Sequence, residues 1–153
     1  MTELQQRILS EAISWVGTPW RVGGSCAKGV GGGVDCSRYV LAVFNNSGLC
    51  PEFKVPDVPS IYCMDRKNPS LILAFLLGHP ELCVEVEGDN YQPCDIVTFR
   101  EGVVVHHVGI VLEDCISMVS CRQPQGVSVH VFKGDDYFKK RLNKGFRPKA
   151  LCP

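Results

Sequence analysis

The chain of 153 residues fits a single compact domain, 1–153, and is long enough to bury a sizeable core. Apolar residues make up 45% and charged residues 21%, the balance of a folded soluble protein. Sixteen basic residues offset sixteen acidic ones, so no net field draws the chain toward nucleic acid or an anionic membrane.

The first twenty residues read as an amphipathic helix, not as a basic segment leading an apolar signal core. No apolar run approaches the roughly 20 residues of a membrane helix. Synthesis without Sec export, and a cytoplasmic or particle-associated location, are therefore expected. Thr2 followed by Gln5 resembles a capping box, and Leu4, Ile8, Ala12 and Val16 recur at helical spacing. This helix should stop near Gly17, with Pro19 just beyond. A glycine-dense loop over 23–33 follows.

Asp35 is placed to cap a second helix over about 36–47, with Tyr39, Val40, Val43 and Phe44 as its buried face and Gly48 at its end. A linker with Pro51, Pro56 and Pro59 leads to a short helix near 70–77. The remainder is β-prone in short runs over 84–87, 96–100, 103–112, 116–121 and 127–132. The stretch 133–147 is rich in Lys and Arg and reads as a solvated C-terminal surface. Helices first and strands afterwards predict an α+β fold, the helices packed on an antiparallel sheet.

Nine cysteines are an odd number, and none form a CxxC pair. Reduced thiols, mostly acting as small buried hydrophobes, are expected. Cys115 and Cys121 are the nearest approach to a zinc pair, but no second close pair supports them. No metal or cofactor is expected.

The segment able to do chemistry is Val34-Asp35-Cys36-Ser37-Arg38, where the glycine loop meets a helix start. A thiol in a first helical turn feels the partial positive charge of unpaired N–H groups. At a pKa near 8.5 it is only about 3% thiolate at pH 7. Lowering that pKa by ~2 units corresponds to roughly 2.7 kcal/mol, whereas a helix terminus supplies about 0.3–1 kcal/mol. A neighbouring imidazole must provide the remainder as an ion pair with the thiolate. Among His79, His106, His107 and His130, the first sits in a helix-ending turn and the last late in a strand. His106 and His107 share the strongest β-prone run, where adjacent side chains point to opposite faces. Both faces carry apolar neighbours, so alternation does not choose between them.

At these residues the sequence resembles the NlpC/P60 cysteine peptidases, papain-like enzymes that cleave bacterial cell-wall peptides. Trp15-Val16-Gly17-Thr18-Pro19-Trp20 is similar to the family's segment ahead of the nucleophile, and Val34-Asp35-Cys36-Ser37 to the nucleophile motif. Pro93-Cys94-Asp95-Ile96-Val97-Thr98-Phe99 resembles a family strand in which glycine replaces Cys94. His107-Val108-Gly109-Ile110 resembles the histidine motif, which favours His107 over His106. The loop Lys28-Gly29-Val30-Gly31 is most similar to the phage-tail and gene-transfer-agent branch.

The resemblance implies a papain-like fold in which Cys36 attacks an amide and His107 moves the proton. Ser120 occupies the position of the third polar residue, usually histidine, asparagine or glutamine; Gln123 or a backbone carbonyl is the alternative. Trp20 stands where tyrosine is usual, and it joins Asp35, Ser37 and Arg38 as candidates to line the substrate site. Arg38 and Arg122 each also read as ordinary surface residues. The implied substrate is a peptidoglycan stem peptide, cut between D-glutamate and the following diamino acid. A phage-tail or other assembly partner is compatible with this reading. The competing readings are a non-catalytic peptide-binding subunit of a phage-like assembly and an acyl- or amide-transferring relative.

Overall fold

The computed structural model describes residues 1–21, 26–50, 71–102 and 104–153. The proline linker, Gly23 and Gly24 of the glycine loop, and Val103 lie outside the described residues.

Helix α1 spans Glu3–Ser14. Its capping box closes reciprocally: Gln5 N–H donates to Thr2 Oγ1 at 3.2 Å and Thr2 N–H donates to Gln5 Oε1 at 2.8 Å. The apolar row runs through Ile8, Leu9 and Ala12 into Trp15, while Val16 turns outward at 48% exposure. The buried Trp15 ring meets Tyr39 edge-on, with centroids 6.1 Å apart, and the Tyr39 hydroxyl donates to the Ala12 carbonyl at 3.1 Å. That contact locks α1 against α2, Cys36–Asn46. A short helix, α3, follows at Leu71–Gly78.

The β-half is one six-stranded antiparallel sheet in the order β1-β6-β2-β3-β4-β5. Strand β1 is Cys83–Val86, β2 Ile96–Glu101, β3 Val104–Val111, β4 Ser117–Arg122, β5 Gly126–Val131 and β6 Leu142–Pro148. One face packs Ile96, Val108, Ile110, Val119, Cys121 and Phe146 against α1 and α2. The other face carries Val97, Phe99, Val111 and Met118, covered by Tyr91, Phe132 and Phe138. Phe138 belongs to a one-turn helix, α4, at Asp136–Lys139. A sheet buried on both sides loses the apolar–polar alternation of a half-exposed one. This is the α+β architecture expected from the order of elements.

The C-terminal stretch departs from its expected role as a solvated surface. Strand β6 lies inside the sheet, paired with β1 on one side and β2 on the other. Its charges sit at the tips of long side chains, while its backbone and Phe146 are buried. Lys144 pairs with Glu85 of β1 at 2.8 Å. Arg147 grips Asp95 through two bonds, Nε to Oδ1 at 2.9 Å and Nη2 to Oδ2 at 2.8 Å. Asp95 is 1% exposed and also accepts the Gln92 N–H at 2.8 Å, so it ties the turn before β2 to β6.

Asp95→Ala would leave the Arg147 guanidinium without its carboxylate, and a broken buried pair costs about 3 kcal/mol or more. A urea titration is expected to show that loss without a change in the slope of the transition.

Candidate functional site

The loop before α2 is cross-braced to present Cys36. Trp20 and Val34 form a parallel bridge; Arg21 N–H donates to Val34 O at 3.0 Å and Val34 N–H to Pro19 O at 3.1 Å. Asp35 then ends the extended backbone and caps α2 by accepting the Arg38 N–H at 2.8 Å. Its second oxygen takes the Arg38 guanidinium at 2.7 Å, and both side chains are buried. Arg38 is thus an interior residue, not an exposed one. Cys36 occupies the first position of the helix and is half-buried, with Ser37 Oγ 4.0 Å from its sulfur.

The sheet opens to receive this thiol. Strands β3 and β4 pair only where Gly109, Ile110 and Val111 meet Ser120, Val119 and Met118. Toward the start of β3 no further pairing with β4 continues, and a bulge interrupts the β2–β3 ladder. There Phe99 faces His107 and Arg100 faces Val105, so His106 is the extra residue. A bulge bends its strand and re-aims side chains, and it is over-represented beside active sites. The Cys36 sulfur lies 3.4 Å from the His106 carbonyl oxygen, against the peptide bond that leads into His107.

His107 is buried on the face shared by Phe99 and Phe138, with ring centroids 5.8 Å and 6.3 Å away. Its Nε2 is 3.0 Å from the hydroxyl oxygen of Ser120, a fully buried residue on the adjacent strand. Gly109, directly across the ladder from Ser120, lets the two strands pack closely here. A Cβ there would run into the Met118 sulfur and come within 3.2 Å of Ser120 Cβ. Gln123 lies exposed in the turn after β4, beside the cis Gln123–Pro124 bond, and the hydrogen bond to His107 comes from Ser120. Trp20 is half-buried where the braced loop leaves the core.

Burial pushes the His107 pKa down to about 3, and the positive charges of Arg122 and His130 act in the same direction. The imidazole is therefore neutral near pH 7, which disfavours the thiolate–imidazolium pair expected from the sequence. His130 is also lowered, by burial and then by Arg122; its Nε2 is 2.9 Å from Ser128 Oγ on edge strand β5. His79 sits in the turn after α3, 2.6 Å from Glu81 and tilted against Phe75, with their centroids 4.5 Å apart. Other thiols are held protonated: burial raises Cys94 to about 12 and pushes Cys121 well up.

The enclosure formed by α4 was not anticipated from sequence. Tyr137 and Phe138 stand within a charged stretch, and Asp135 caps their turn by accepting the Tyr137 N–H at 2.7 Å. An aspartate two residues ahead of an aromatic pair was the available signal. Among the described residues no group of three or more His, Cys, Asp and Glu could hold a metal ion, and no helix is long and apolar enough to cross a membrane.

Comparison with known proteins bears on the family and the fold. The NlpC/P60 family model matches residues 17–147. The murein DD-endopeptidase MepS/murein LD-carboxypeptidase of Escherichia coli K12 is 27% identical over 145 residues. The match takes in 95% of this chain, which spans 63% of that relative's length. An NLP/P60-family protein of Staphylococcus aureus, described as similar to lipoprotein, superposes with a TM-score of 0.62 at 22% identity, covering 96% of this chain and 42% of its own. The NlpC/p60 domain of the peptidoglycan hydrolase SagA superposes with a TM-score of 0.54 at 17% identity, covering 94% and 97% of the two chains. At these identities the two superpositions bear on the fold.

The depressed His107 pKa makes stability depend on pH with a definite sign. The unfolded chain takes up the proton near pH 6.5 and the folded chain only near 3, so stability is full above 6.5 and falls as pH drops through that window. Between pH 7 and pH 4.5 the wild type is expected to lose about 2 kcal/mol more than His107→Gln. Denaturant titrations at the two pH values measure the difference.

Proposed function

The chain belongs to the NlpC/P60 family, and we propose that it is a cysteine amidase or endopeptidase acting on peptidoglycan stem peptides. The observation that carries the reading is a half-exposed thiol at a helix head, laid against the peptide bond before a buried histidine that is itself bonded to Ser120. The relative named for murein endopeptidase and carboxypeptidase activity supports the substrate class. The bond proposed for this chain joins D-glutamate, through its side-chain carbonyl, to the next diamino acid.

A neutral imidazole sets the order of events. The tautomer that serves this chemistry donates Nε2–H to Ser120 Oγ, 3.0 Å away, and leaves the lone pair on Nδ1 to act as base. As the Cys36 sulfur attacks the carbonyl carbon, its proton passes to Nδ1. The carbonyl oxygen becomes an oxyanion held by first-turn N–H groups of α2, including that of Cys36; one such donor is commonly worth about 3 kcal/mol. The C–N bond breaks as the imidazolium returns the proton to the leaving amine, giving a thioester. Water, losing its proton to His107, then attacks that thioester and releases the carboxylic acid and the thiol. Trp20 walls the site and Ser37 flanks the sulfur. The Asp35–Arg38 pair, committed to capping, gives the nucleophile a rigid base. Action within a phage-tail-like assembly rests on the resemblance of the loop Lys28-Gly29-Val30-Gly31 alone.

Cys36→Ala and His107→Ala are each expected to lower turnover by about 10⁴-fold or more. His106→Ala should retain most activity, because the thiol's 3.4 Å contact is with that residue's backbone carbonyl, which alanine keeps. Ser120→Ala should lose up to about 100-fold through misplacement of the ring, and Gln123→Ala little. Mass spectrometry of products from a panel of defined muropeptides reads activity and bond choice together. Intact substrate throughout, with the peptide still bound, would instead favour the binding-subunit reading.

A further inference from the structure

Two half-buried arginines, Arg122 and Arg141, lie over the Tyr137 ring without a carboxylate partner among the described residues. Arg141 spends an N–H on the Tyr137 carbonyl at 2.9 Å, and Arg122 is the one on the strand beside His107. Arg38 and Arg147 each have a buried aspartate partner. Arg122 is half-buried, yet no carboxylate among the described residues lies within ion-pair distance of it. The two carboxylates bonded to Tyr137, whose ring Arg122 overlies, are used elsewhere: Asp135 caps α4, and Glu101 receives the Tyr137 hydroxyl at 3.2 Å. Leaving a guanidinium half-desolvated without a counter-charge is costly, and such a position commonly marks where an anionic ligand docks.

Its placement is equally specific. Gly109 faces Ser120 across the β3–β4 ladder, so extending that register by two residues brings Arg122 level with His107, on the same face of the sheet. The guanidinium carbon lies 4.0 Å from the Tyr137 ring centroid and 5.4 Å from that of Phe138. Phe138 is the common neighbour, with His107 at 6.3 Å and His130 at 5.3 Å from it. Stacking fixes the plane of a guanidinium and leaves its N–H edge for in-plane, bidentate bonds, which suit a carboxylate.

We propose that Arg122 anchors a free carboxylate of the substrate, carried by the residue that departs when the scissile amide breaks. This deepens the hydrolase reading and rests on it. The side of the bond follows from chemistry: His107 returns its proton to the leaving amine, so a cation level with His107 faces the leaving residue. A second consequence follows. Arg122 and His130 both oppose a positive charge on His107, and a bound carboxylate offsets that opposition just when the ring must accept a proton. Substrate with the free acid thus helps to make its own base.

The test uses three synthetic tripeptides: L-Ala-γ-D-Glu-L-Lys as the free acid, the same with a C-terminal carboxamide, and the free acid with D-isoglutamine in place of D-glutamate. Wild type is expected to favour the acid over the C-terminal amide by about 10- to 100-fold in kcat/KM, the range of a charged hydrogen bond. Arg122→Gln should bring that ratio near unity, and Arg122→Lys should keep part of it. Equal treatment of acid and amide by wild type overturns the proposal, as does an unchanged ratio in a folded Arg122→Gln protein. So does a preference that follows the D-isoglutamine change instead. Calorimetric binding of the acid and C-terminal amide to Cys36→Ala separates this anchor from catalysis. If wild type cleaves nothing, the hydrolase reading has failed; tighter binding of the acid would still support the anchor, and equal affinities would overturn it.

Discussion

Burying an imidazole beside a pair of phenylalanine rings constrains everything around it. Inside the sheet His107 cannot hold a proton cheaply, and its polar nitrogen needs a partner that does not open the core to water. Ser120 meets that need with a small group at 3.0 Å. The ladder must then bring β4 close to β3 beside the ring, which Gly109 permits by having no side chain to collide with Met118. It must also stop short of the start of β3, so that the head of α2 can reach the strand. Short hydroxyl, missing side chain, bulge and truncated ladder are thus linked demands of one buried ring.

Two buried aspartates hold the halves in register around that ring. Asp35 spends one oxygen on the backbone of α2 and the other on Arg38, which fixes the start of the helix that carries Cys36. Asp95 does the corresponding work on the sheet, binding the turn before β2 to the guanidinium of Arg147 on β6. Each carboxylate satisfies a backbone donor as well as a cation, the condition under which a buried ion pair is tolerated. The catalytic candidates therefore sit on regular elements whose ends are fixed by hydrogen bonds.

Much of this was legible in the sequence because it depends on local chemistry. The Thr2–Gln5 box, the Asp35 cap and the apolar stripe through Tyr39 and Phe44 are decided within a few residues, and α1 and α2 appear where those signals place them. Strand β6 was not legible. Lys144 and Arg147 look solvated until Glu85 and Asp95, about 50 to 60 positions away, supply their partners. Choosing between His106 and His107 by alternation failed for a physical reason: both faces of β3 are buried, and the bulge breaks the alternation at that pair. Ser120 was legible as a position but not as a partner, since reach depends on how closely two strands approach. The neutral state of His107 follows from depth in the core, a property no spacing records.

The abundance of thiols clarifies what sets Cys36 apart. A carbonyl acceptor does not, because Cys121, Cys83, Cys94 and Cys26 donate to carbonyls as well, at 3.1 to 3.9 Å. Those four are pushed up in pKa by burial first of all, so they behave as small apolar side chains. Cys36 combines a helix head, partial access to solvent and the strand that carries a neutral base. The helix alone supplies too little to ionise it. In the mechanism proposed above, with the imidazole uncharged, proton transfer from the sulfur accompanies attack on a carbonyl carbon. On that proposal reactivity depends on substrate being in place, and it is position at the helix head beside His107's strand, not the number of thiols, that singles out Cys36.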